Sequence, residues 1–206
     1  MHHRRSLLYL VAAGAVVAAA PRTRAQSHAL PPLEDMLAER AVGPADAPVT
    51  VIEYSSLSCP ACATFHRDTW PRVRSQLVEP GRVRHVFADF PLDQAALAAA
   101  MLARALPAEH YEPFVSMLFA SQSRWAHRNF LEELAKLAAL AGMSRDTFQA
   151  ALRSAELQRG VLEIRLRGEQ EHKVTSTPTF VFGGRLPGVS GAIGFDRYAR
   201  EVGLPV

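Results

Sequence analysis

Two cysteines three positions apart, at the junction of a strand-like run and a helix-like one, constrain this chain more than any other feature. Cys59 and Cys62 are its only cysteines in 206 residues. Val49-Thr50-Val51-Ile52-Glu53-Tyr54 precedes them as a short apolar run, and a helical pattern starts at Pro60. The first N–H groups of a helix are unpaired and form the positive end of its dipole, so a thiolate placed there is stabilised. Pro60 suits the first helical position, because its missing N–H would have had no partner in any case. Cys59 then falls at or just before the cap, and Cys62 lies about one turn further in. The expectation is an attacking thiolate of low pKa at Cys59 and a more buried resolving thiol at Cys62.

Other chemistries use the same spacing. A C-x-x-C pair is half of many metal sites, and His66 follows Cys62 by four residues on the same helix face. A closed zinc site wants four ligands, and there is no second cysteine pair. Thiolates also suit Cu(I), so a copper chaperone using Cys59 and Cys62, with His66 as a further candidate ligand, is the alternative from another functional class. A static structural disulfide would close so short a loop that it removes little chain entropy. Redox chemistry is the reading that uses all of the local features.

Residues 1–25 read as an export signal rather than part of the fold. His2-His3-Arg4-Arg5 is a basic start, Ser6 to Ala20 is apolar, and Thr23-Arg24-Ala25 is a cleavage site that leaves Gln26 as the mature terminus. Arg4-Arg5-Ser6-Leu7-Leu8 also resembles a twin-arginine signal. The apolar run is short for a bilayer span, which needs about 20 residues, so a retained anchor ranks second. The whole chain carries 23 Lys and Arg against 20 Asp and Glu. The four arginines of the leader leave 19 against 20, a net of −1, so the basic character belongs to the signal. No basic stripe interleaved with aromatics points to nucleic acid. An oxidising compartment outside the cytoplasm lets a disulfide persist, and a single cysteine pair there serves a specific purpose.

Residues 26–48 read as a lead-in, with Pro31-Pro32, Gly43-Pro44 and Ala47-Pro48 as breaks and a brief helix over 33–40. They leave no room for a dimerisation domain, so a monomer is expected. The run 49–54 is apolar on both faces apart from Thr50 and Glu53, which suits a central strand. Glu53, buried there, needs a partner or a proton-handling role. The helix from Pro60 should divide at Pro71. A second strand over 83–87 completes a β-α-β unit. Residues 94–173 then read as helical, in segments over 95–106, 111–120, 130–141, 146–153 and 156–171. His110 and His127 fall near helix junctions and read as surface residues. Thr179 to Phe182 returns to strand, Gly183-Gly184 suggests a two-residue hairpin turn, and 185–189 should run back. Asp196 opens a short last helix. Pro178 is permitted where it stands, before the first residue of a strand, and a cis Thr177–Pro178 bond beside the cysteine pair is expected.

With these parts in place, the chain resembles the DsbA-like periplasmic thiol–disulfide oxidoreductases of the thioredoxin superfamily. Val51-Ile52-Glu53-Tyr54 leading to Cys59-Pro60-Ala61-Cys62 resembles the family's first core strand and active-site helix. Thr175-Ser176-Thr177-Pro178-Thr179-Phe180 resembles its cis-proline segment, and the helical block resembles its insertion. The resemblance implies an α/β fold: a thioredoxin-like central mixed sheet flanked by helices over 49–206, with a helical insertion at about 94–173. It implies that Cys59 is the nucleophile and Cys62 resolves the mixed disulfide. Glu53 would assist proton transfer, and Thr177 and Pro178 would pair with an extended substrate. No cofactor beyond the Cys59–Cys62 disulfide is implied, and the partners would be exported polypeptides and a membrane redox partner. Ala61 stands where strongly oxidising members carry a histidine. Its loss removes a positive charge beside the thiolate, so a weaker oxidant is expected, as a donor of disulfides or as a reductase or isomerase.

Overall fold

Alternation within three strands decides how the sheet is buried. The structure, a computed structural model, describes residues 30–203, so the expected signal over 1–25 lies outside the described residues. Strands β1 (Arg40–Val42), β2 (Val49–Ser55), β3 (Val83–Asp89), β4 (Thr179–Phe182) and β5 (Val189–Ser190) form one mixed sheet in the order β1-β3-β2-β4-β5. β2 and β3 are parallel, with Val51 opposite His85 and Glu53 opposite Phe87. β4 runs antiparallel to β2 on its other side, with Tyr54 opposite Thr179.

Side chains two apart on a strand share a face. Val51, Phe87, Phe180 and Phe182 accordingly join Phe65 and Trp70 in the main apolar core, and Glu53 shares their face of β2. Ile52, Tyr54, Ala88 and Val181 point the other way, onto Ile164 and Val174. Ile164 belongs to helix α9 (Ala155–Glu171), which lies so close to the sheet that a Cβ at Gly168 would stand 2.6 Å from the Tyr54 ring. Burial on both faces is what the unbroken apolar run of β2 requires.

The remaining helices follow from caps and breaks. α1 is Leu33–Leu37 and α2 is Pro60–Asp68, which stops at Thr69 before α3 (Trp70–Val73). Pro71 sits inside α3, and the division expected there occurs two residues ahead of it. A π turn over Arg74–Val78 finishes the segment. α4 (Gln94–Ala105) opens on Asp93, whose Oδ1 accepts the N–H of Ala96 at 2.8 Å. α5 is Ala108–Ala120, α6 is Gln122–Trp125 and α7 is Phe130–Leu140. Ser144 and Ser154 cap α8 (Arg145–Arg153) and α9 through their hydroxyls, and α10 spans Phe195–Glu201. His110 and His127 are exposed.

Three features depart from the sequence reading. The stretch read as a lead-in contributes β1, which pairs antiparallel with the outer edge of β3. The short α6 lies between two helices that were expected. The two-residue hairpin does not form. Gly183 and Gly184 do take positive φ, of 55° and 73°, but the chain rejoins the sheet only at Val189, opposite Phe180. Pro187 explains this, because it has no N–H to give a ladder.

Candidate active site

The register of the sheet assembles the site from three distant stretches. β2 ends at Ser55, a tight turn follows in which the Cys59 N–H reaches Ser56 O at 3.0 Å, and α2 begins at Pro60. Cys59 is the N-cap, in extended conformation (φ −78°, ψ 123°), and Pro60 is the first helical residue. β4 starts beside the same end of β2, so the segment before Thr179 arrives at the cysteine pair. Thr179 Oγ1 holds that segment by donating to Ser176 O at 2.8 Å, and Gly191 N–H donates to Pro178 O at 2.8 Å. The Thr177–Pro178 bond is cis, and the Cys59 thiol donates to Thr177 O at 3.4 Å.

The two thiols differ in the way their positions dictate. Both are free; Cys59 keeps 9% of its surface exposed and Cys62 none. The hydrogen bond from the Cys62 thiol does most to lower the Cys59 pKa, burial opposes it, and the Thr177 side chain and the N–H groups of Cys62 and Ala61 add to it. The net value is about 5. The Thr177 hydroxyl has no hydrogen-bond partner of its own, which leaves it available to a thiolate at Cys59. Burial pushes the Cys62 thiol far up, and its bond to Cys59 and the negative charge of Glu53 push the same way.

Glu53 lies fully buried beneath this pair, between two histidines. Oε1 is 3.0 Å from His66 Nε2 and Oε2 is 2.9 Å from His85 Nε2. Burial alone would raise its pKa, but the charge and hydrogen bond of His66 and the bond from His85 outweigh that and hold it at about 2. An ionised carboxylate only accepts, so both Nε2 atoms carry hydrogen. His85 Nδ1, 2.9 Å from the Tyr198 hydroxyl, then accepts from it. Burial lowers the His85 pKa against the pull of Glu53, so its ring is neutral and fully satisfied. His66 Nδ1 is buried with no partner, and its ring stacks on Phe119 at 4.1 Å.

Glu53, Cys59, Cys62, Thr177 and Pro178, separated by up to more than a hundred residues, therefore meet in one place. His66, the third ligand of the copper alternative, has its Nε2 on Glu53. Three residues escaped the sequence reading. His85 lies on the Glu53 face of the neighbouring strand, a position legible only once the β2–β3 register is known. Tyr198 comes from α10. Gln122 opens the unforeseen α6 and donates to Leu57 O at 2.8 Å and Cys59 O at 2.9 Å.

A mixed sheet that delivers C-x-x-C to a helix N-terminus, with a cis-proline segment against the outer sulfur, defines a protein of the thioredoxin fold. The chain belongs to the thioredoxin family, whose pattern matches residues 36–197. Within that superfamily it is DsbA-like. Its structure superposes on that of Wolbachia pipientis alpha-DsbA1 with a TM-score of 0.75 and 25% identity, covering 80% of this chain and 89% of that one. A Rickettsia typhi protein assigned by name to the protein-disulfide oxidoreductases is 26% identical over 138 residues, 66% of this chain and 51% of that protein. Disulfide bond formation protein D of Bacillus subtilis is 30% identical over 104 residues, 46% of each chain. The chain thus spans about half the length of these curated relatives. No helix among the described residues is long and apolar enough to cross a membrane.

Proposed function

We propose that this protein is a thiol–disulfide oxidoreductase that exchanges disulfides with exported polypeptides through Cys59 and Cys62. The observation that carries the proposal is the asymmetry of the pair: an outer thiol drawn down to about 5 beside a fully buried partner that is pushed up. In the oxidising direction a substrate thiolate attacks Cys59 Sγ of the Cys59–Cys62 disulfide. The S–S bond breaks, a mixed disulfide forms, and the Cys62 thiolate takes up a proton. A second substrate thiolate attacks the substrate sulfur of the mixed disulfide, and Cys59 leaves as a stabilised thiolate. The substrate loses two electrons and gains a disulfide, and the protein becomes the dithiol. In the reducing direction each step runs backwards.

Glu53 lies where it assists the proton transfer at Cys62. Thr177 and Pro178 line the outer sulfur, where an extended substrate pairs as an added strand. The disulfide itself is the redox group, and a membrane redox partner restores it. The protein works as a monomer in the periplasm, reached by cleavage of the leader over 1–25. A Cys59 pKa of about 5 falls between the values of about 7 for thioredoxin and about 3.5 for DsbA. That supports a disulfide donor weaker than those with a histidine at the position of Ala61, because a stabilised thiolate makes the reduced state the favoured product.

Equilibration of the protein with glutathione redox buffers, together with oxidation of a reduced, unfolded polypeptide, tests the proposal. The expected potential lies above that of thioredoxin, and Cys59→Ser abolishes turnover. A potential at or below that of thioredoxin, or turnover that survives Cys59→Ser, would contradict it.

A further inference from the structure

We infer that Gln122 is a positioning residue for the redox pair, a clamp by which the helical insertion fixes the Cys59 end of the active-site loop. This rests on the exchange reading above. The two N–H groups of one side-chain amide go to two carbonyls of the same loop, Leu57 O at 2.8 Å and Cys59 O at 2.9 Å, which are 65 and 63 residues away in sequence. Cys59 O also receives the first helical bond of α2, from Ala63 N–H at 3.2 Å. The amide therefore grips the residue on which the strand, the helix and the reactive sulfur converge.

Gln122 is itself held in place. It opens α6, and Trp125 at the other end of α6 is fully buried and donates Nε1–H to Leu118 O at 2.8 Å. Ser121, just before, donates its hydroxyl to Met117 O at 2.7 Å. Both bonds return to α5, so the amide is presented from a fixed base and loses little freedom in making its bonds. Two consequences follow. Restraining the Cys59 carbonyl restrains the backbone that aims Sγ at Thr177. The positive ends of two N–H dipoles also lie beside the residue that bears the thiolate, with the same sign as the helix N-terminus. Gln122 does not touch the sulfur, and it acts through the loop.

Three variants of the full chain test this: Gln122→Met, which keeps length but donates nothing; Gln122→Lys, whose ammonium donates to both carbonyls; and Gln122→Glu, which sets an acceptor against two acceptors. The readouts are the Cys59 thiolate midpoint from absorbance against pH, the rate of reaction of the reduced protein with glutathione disulfide, and thermal unfolding. Gln122→Met is expected to raise the midpoint and slow the reaction about two- to tenfold, the range for one ordinary hydrogen bond. Gln122→Lys should bring the midpoint back to the native value or below it and recover the rate, and Gln122→Glu should exceed the methionine variant in the same direction. A methionine variant with native midpoint and rate overturns the clamp, whatever its stability, and so does a lysine variant that behaves like methionine. If the methionine variant fails to fold, Gln122→Ala takes its place, a raised midpoint supporting the clamp and a native one overturning it. The midpoint needs no substrate, so the two readings fail separately. A wild-type protein that never reacts with glutathione disulfide counts against the exchange function, whereas a reactive one with midpoints indifferent to Gln122 counts against the clamp alone.

Discussion

Glu53 is a single acceptor group between two donors, and this fixes what each histidine does. His85 Nδ1 faces the Tyr198 hydroxyl, whereas His66 Nδ1 has no partner. In Glu53→Gln one oxygen remains for two Nε2–H donors, and the new NH2 must face one of them. That leaves a buried N–H unpaired, at a cost of about 1–3 kcal/mol. The variant should fold with that loss by urea titration while disulfide exchange slows by about tenfold or more, in keeping with the loss of a group that assists proton transfer. Exchange at the wild-type rate would make Glu53 a purely structural residue. A second outcome follows from Cys59. Its pKa falls from an ordinary 9.0 to about 5 in the folded, reduced protein, so the thiolate's contribution to stability is complete above 9. It is lost as the pH falls through 5. The advantage of the reduced over the oxidised form in thermal unfolding should therefore shrink steadily between those limits, and an advantage that grows in acid would contradict the assignment.

Among the elements, β3 and α4 carry a second buried polar cluster whose role is structural. Arg104 in α4 pairs with Asp89 at the end of β3, and its Nη1 donates to Met36 O at 3.0 Å and Ala38 O at 3.1 Å. Tyr111 adds a bond to Asp89 Oδ1 at 3.1 Å. One side chain thus ties α1 and its exit to the sheet and to α5. Arg104→Ala leaves the Asp89 carboxylate buried without its cation and should cost about 3–5 kcal/mol. Exchange per folded molecule should stay near wild type, and a change in the Cys59 midpoint would show that the cluster reaches the active site. The longer elements were legible because their signals are local: the apolar stripes of the helices, the proline at 71, the apolar run of β2. β1 and α6 were not, since three or four residues carry no periodicity and each is held by distant partners. The hairpin failed for a different reason. Gly183-Gly184 reads as a turn taken alone, but Pro187 just beyond withholds the donor that a returning strand would need. The same distinction holds within the site. Cys59, Cys62 and Glu53 are marked by their immediate neighbours, but His85, Tyr198 and Gln122 meet them only through the tertiary fold.

At the scale of the whole molecule, the insertion is the part that turns a thioredoxin sheet into a DsbA-like protein, and through Gln122 it reaches the loop that carries Cys59. The export proposed above belongs to this scale as well, because cleavage of a leader over 1–25 would set the redox compartment in which the pair works. Mass spectrometry of the mature protein should give a chain that starts at Gln26, and a mature protein that keeps residues 1–25 would favour a retained anchor over a cleaved leader. The central claim, that one thiol is the outer, low-pKa nucleophile and the other a fully buried resolving group, is tested most directly by alkylation of the reduced protein across pH, with each adduct mapped to its cysteine. Cys59 should be modified with a midpoint of about 5 while Cys62 stays protected as long as the protein is folded. Equal midpoints near the free-cysteine value of about 8.5, or faster modification of Cys62, would contradict the account.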